Sequence, residues 1–164
     1  MSRRESTVRL AAGAAMVAFE WAVDRWRHVV TVAEGVRLAS VEGAAPPADD
    51  PCWPASPVLT EVSPVEVGGR PAILGVGRAG RSHFSASVTA HPDLPDTLLF
   101  EIACRVQEPP GPLGSSYTAA DGTTVRVEPA GGAAASVPGT LQWAYAIGPA
   151  GLVRPPAAVR PRRP

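Results

Sequence analysis

The chain has 164 residues, fifteen Lys+Arg balanced by fifteen Asp+Glu, and 45% apolar positions, which suits one domain of ordinary size and argues against wholesale disorder. A formal net charge of +0 supplies no global field for a polyanion, and no basic stripe of helix or strand size stands out, so no nucleic-acid partner is expected. Every basic residue is Arg and there is no Lys or Asn, a bias that reads as that of a GC-rich genome and is silent about task.

The first sixteen residues carry Arg3, Arg4 and Arg9 ahead of an Ala-rich apolar run over 10–19 that is too short and too weakly hydrophobic for a convincing export signal. Residues 1–16 are therefore expected to be poorly ordered or a short helix, and the chain cytoplasmic, with export as the alternative. From Val17 the pattern changes: Val17, Phe19, Trp21 and Val23 alternate with Ala18, Glu20 and Ala22, the period of a half-buried strand. Helix remains the competing assignment over residues 10–22, because alanine favours it. Trp26, His28, Val30 and Val32 share the next alternating face, and Glu34-Gly35 turns the chain into 36–41, which completes a three-stranded meander. Residues 43–57 hold five prolines and the pair Cys52-Trp53, a surface loop.

Strands are predicted at 58–67, 71–76, 84–90 and 97–106. The last is the clearest: Leu98, Phe100, Ile102, Cys104 and Val106 face one way, and Leu99, Glu101, Ala103 and Arg105 the other, with a Glu101/Arg105 contact expected on that second side. A long loop over 108–120, strands at 123–128 and 141–147, and a Pro/Arg tail over 149–164 expected to be disordered complete the chain. About eight short strands with long Pro/Gly-rich connections predict an all-β, single-domain antiparallel β-sandwich or partly open barrel over 17–148. No run approaches the length of a membrane span, so no integral membrane association is expected.

Among chemical motifs the sharpest is Gly75-Val76-Gly77-Arg78-Ala79-Gly80, a literal GxGxxG after an apolar run. In a dinucleotide-binding unit these glycines cradle a pyrophosphate at a helix N-terminus. Here Phe84, Ala86, Val88 and Ala90 alternate with polar residues immediately afterwards, which is strand periodicity, so the glycines are expected to serve a hairpin. Arg78, Arg81, Ser82 and His83 gather at that turn as candidate ligands for an anion, since guanidinium forks and hydroxyl donors suit phosphate, sulfate or carboxylate. The three histidines, His28, His83 and His91, lack metal-ligand spacing, and Cys52 and Cys104 make no CxxC, so no metal is expected. Cys104 is expected to act as a small hydrophobe; a Cys52–Cys104 bridge belongs to the export alternative. Gly114-Ser115-Ser116-Tyr117 lacks the strand–turn–helix context of a nucleophile elbow, and no catalytic residue is assigned. Of the four tryptophans, Trp21, Trp26 and Trp143 are expected in the core, while Trp53, in a proline-rich loop, is the candidate for stacking on a ligand.

These observations favour a soluble, non-enzymatic binding or interaction module without a cofactor, its ligand a protein partner or a small anion. The alternative is a small nucleotide- or anion-binding enzyme centred on residues 75–80, and a second alternative is an exported accessory domain with one disulfide.

Overall fold

The computed structural model describes residues 6–33, 35–43, 53–130 and 137–154. Among these there are twelve strands and no helix: β1 (Val8–Ala12), β2 (Ala15–Ala22), β3 (Arg25–Val32), β4 (Val36–Ser40), β5 (Glu61–Val67), β6 (Arg70–Ala79), β7 (Ser82–Ala90), β8 (Leu98–Val106), β9 (Ser115–Ala119), β10 (Thr124–Val127), β11 (Gly139–Gly148) and β12 (Gly151–Val153). They form two antiparallel six-stranded sheets, in the orders β1-β2-β3-β4-β9-β10 and β12-β11-β8-β7-β6-β5. The fold is an open β-sandwich rather than a closed barrel, with β1 and β10 at the edges of the first sheet and β5 and β12 at those of the second.

The core follows from the period of two. Val17 and Phe19 of β2, Val30 of β3 and Tyr117 of β9 meet Ile73, Val88, Phe100 and Tyr145 from the second sheet, each nearly or fully buried. Strand β8 is central, paired along its length with β7 on one side and β11 on the other. Leu98, Phe100, Ile102, Cys104 and Val106 are all buried, as their alternation requires. Cys104 is a free thiol in that core, and burial pushes it up to about 11, opposed by a hydrogen bond from Ser82. Cys52 lies outside the described residues.

Several elements differ from the sequence expectation. Residues 8–12 are strand β1, neither helical nor poorly ordered: a full ladder to β2 outweighs the helix propensity of the alanines, and Leu10 and Ala12 face the core. The expected loop over 108–120 contains β9, which pairs with β4 and returns the chain to the first sheet. The strand predicted from residue 58 begins only at Glu61. The segment before it bridges the two sheets instead, Trp26 N–H donating to the Leu59 carbonyl (2.8 Å) and Thr60 N–H to that of Val76 (2.9 Å). Within the expected tail, Gly151–Val153 forms β12 against β11, while residues 155–164 lie outside the described part. Trp21 is not a core residue; it is 38% exposed at the end of β2, edge-on to Trp26 at 6.0 Å between ring centroids.

Candidate functional site

The GxGxxG sequence sits inside the β6–β7 hairpin. β6 runs through Gly75 and Gly77, Gly80 (φ +57°) occupies the first central position of a two-residue turn, and β7 starts at Ser82. Glycine is preferred at that position of a type II′ hairpin turn, so the third glycine of the motif has a backbone role. Gly77 has a packing role: a Cβ there would collide with the Val58 carbonyl, so its absence lets the 58–60 bridge cross β6. A helix after the third glycine, which a dinucleotide fingerprint requires, is replaced by a strand.

The four candidate anion ligands separate. Ser82 is buried, 1% exposed, and its hydroxyl is beside Cys104, so it is no part of an exposed tip. Arg81 reaches the side chain of Gln107 (3.4 Å). Arg78 and His83 remain, exposed and directly opposite each other on β6 and β7. The register then adds two residues: His83 is opposite Arg105 on β8, and Arg105 is opposite Thr140 on β11. Arg78, His83, Arg105 and Thr140 thus form one line across four adjacent strands on the outer face of the second sheet, bordering a trough of about 520 Å³ with Thr60 and Ser85. Neighbouring strands are about 4.8 Å apart, so the two guanidiniums are close enough for their arms to converge above His83. Neither arginine has an acidic partner among the described residues. The expected Glu101/Arg105 contact is absent, because residues four apart on one strand are separated by about 13 Å.

Trp53 is half-buried and committed: its indole N–H donates to the Pro112 carbonyl (2.7 Å) and its ring covers Gly111, where a Cβ would not fit. It acts as the anchor of its loop. One flank still borders a cleft of about 520 Å³ at the end of the sandwich, shared with Arg25, Arg78 and Glu108. Arg126 locks the loops beneath, donating to the Ala55 carbonyl and Ser116 Oγ (2.8 Å each) and to the Pro112 carbonyl (3.2 Å). In the same cleft Arg25 forks onto Asp24 (2.9 and 3.1 Å), and that guanidinium holds the Asp24 carboxyl below its usual range.

A polar relay crosses the core. His28 Nε2 lies 2.7 Å from the Tyr117 hydroxyl, which lies 2.7 Å from that of Tyr145, while Trp143 Nε1 donates to Ser115 Oγ (2.9 Å). The imidazole stacks between Phe19 and Phe100, and Phe100 stacks on Tyr145 at 5.1 Å. Burial pushes His28 down to about 4 and Tyr145 up to about 12, and Tyr117 well above the phenol range, so all three are neutral near pH 7. The adjoining cavity is about 20 Å³, room for one water and not for a substrate. The relay satisfies buried polar groups and ties β3, β9 and β11 together. His91 is spent on its own turn, Nδ1 accepting from the backbone N–H groups of Asp93 and Leu94. His28, His83 and His91 therefore occupy three separate places, and among the described residues no three His, Cys, Asp or Glu gather as metal ligands would.

Sequence reasoning missed Arg105 and Thr140, whose link to Arg78 is made only by strand register. The inward turn of Ser82 was available from its parity with buried Phe84. No protein-family model matches the chain, and neither a curated protein nor a solved structure is found to be similar to it.

Proposed function

We propose that this β-sandwich is a binding module that holds an anionic group of its ligand at the Arg78–His83–Arg105–Thr140 line. The observation that carries this reading is the alignment, in register on an open sheet face, of two guanidiniums without acidic partners among the described residues, together with an imidazole and a hydroxyl. Like-charged side chains so placed repel each other mildly, and an anion between them converts that cost into attraction. The ligand group is a carboxylate, sulfate or phosphate; a protein side chain and a small free anion share this chemistry.

The test is thermal unfolding in sodium sulfate or phosphate against sodium chloride at matched ionic strength. Saturable stabilisation by the oxyanions is expected, lost in the Arg78→Ala/Arg105→Ala double variant and retained in Arg81→Ala. Oxyanion and chloride curves that coincide for the parent chain would refute the proposal.

A further inference from the structure

The outer face of the second sheet has more to it than the cationic line. Toward the other end of the strands, the next row contains Val76, Ser85, Ala103 and Gln142, and the row beyond it Leu74, Ser87, Glu101 and Ala144. Val76 and Leu74 are 48% and 41% exposed, and most of the other side chains are small, so the face carries little side-chain bulk and no charge in the row between Arg105 and Glu101 on these four strands. Glu101, like Arg105, has no ion-pair partner among the described residues, and both project from this face of β8 with Ala103 midway between them.

We propose that this face binds a second copy of the chain, with the carboxylate of Glu101 from each copy seated at the arginine line of the other. The inference rests on the anion-binding reading above and names the anion. Its geometry follows from symmetry. A two-fold axis lying in the interface, perpendicular to β8 and passing over Ala103, lays β8 antiparallel on β8 of the second copy. Ala103 then meets Ala103, and Arg105 of each copy stands over Glu101 of the other, so two charges too far apart to pair within one chain pair twice across the contact. His83 falls on Ser87, Arg78 on Leu74, and Val76 on Val76. The other in-plane two-fold, parallel to the strands, sets cationic row on cationic row, which like-charge repulsion disfavours. Small residues at the centre let the sheets approach to about the usual 10 Å, a gap an arginine and a glutamate span together. Glu61 of the edge strand β5 meets its own copy at the solvated rim, where the repulsion is screened. A patch of four strands at about 4.8 Å and three rows at about 6.8 Å is small for an interface, so the dimer is weak and forms with rising concentration.

Sedimentation equilibrium of the full chain from low micromolar to several hundred micromolar, at low and high salt, tests this. The expected result is concentration-dependent dimerisation that weakens with salt. Glu101→Arg and Arg105→Glu should each raise the dissociation constant about tenfold or more, and the combined swap should restore it to within about threefold of the parent. Thermal melts of each variant separate loss of pairing from loss of fold; a swap variant that melts like the parent yet does not dimerise overturns the proposal. So does a parent chain monomeric at every concentration. If that monomer is still stabilised by sulfate through Arg78 and Arg105, the anion seat stands and only the second copy is refuted; if it is not, both fall.

Discussion

The His28 relay makes acid sensitivity a quantity that can be worked out in advance. The imidazole is held near a pKa of 4 by burial, against about 6.5 in an unfolded chain, so between those values the unfolded state binds more protons than the folded one. Stability therefore falls as pH drops through 6.5 towards 4, and the loss is complete below both values. Taking 1.36 kcal/mol per pH unit, the His28 contribution is about 2 kcal/mol at pH 5 and about 3 kcal/mol at pH 4, relative to neutral pH. Glu42 opposes this: burial raises its carboxyl above the usual range, which favours the folded state at lower pH. Urea denaturation of the parent and of His28→Gln, at pH 7.5, 5 and 4, isolates the histidine, because the carboxylates are common to both chains. Glutamine retains a hydrogen-bonding group for Tyr117 but loses the ring stacking on Phe19 and Phe100, so the variant should be the weaker at neutral pH. The gap should close or reverse by pH 4. A difference between the two that stays constant within about 0.5 kcal/mol across this range would show that charging His28 carries no penalty and that the ring is hydrated.

Phe100→Ala, removing a side chain 1% exposed and stacked on Tyr145, should lower the unfolding free energy by about 3–5 kcal/mol in urea titration; a loss under about 1 kcal/mol would contradict its place in the core. Val23 presents the opposite case, a β-branched residue, 93% exposed, at φ +62° in a tight turn closed by Asp24 N–H to the Ala22 carbonyl (2.7 Å). Val23→Gly should raise stability by about 1 kcal/mol, read as a higher melting temperature, and a lower one would mean that the valine is held by contacts the turn geometry does not reveal.

Elements were legible where one face of a strand is wholly apolar and the other is not. β8 meets that condition over nine residues, and the β6–β7 hairpin was marked by a turn glycine between two alternating runs. β1 was hidden because alanine and leucine suit a helix equally well, and only the ladder to β2 decides between them. β9 was hidden for another reason. Its inward and neighbouring positions hold Ser115 and Ser116, buried because Trp143 Nε1 donates to the first and Arg126 donates to the second, so polar residues occupy places where the period demands apolar ones. The candidate site was half legible. A glycine-rich turn with two arginines could be seen locally, but Arg105 joins Arg78 through the pairing of β6 to β7 and of β7 to β8, a relation between strands that spacing along the chain does not encode.

The edges of the sandwich limit how copies of this chain can assemble. β5 carries Pro64, which has no N–H to offer a neighbouring strand, between Glu61 and Glu66; β12 is three residues long, and β10 four, with Arg126 among them. Strand-by-strand addition, the route to open-ended fibrils, thus finds short or interrupted templates at three of its four starting points. Face-to-face contact about a two-fold axis, as proposed above, would by comparison use up its surface in a single step and stop at two copies.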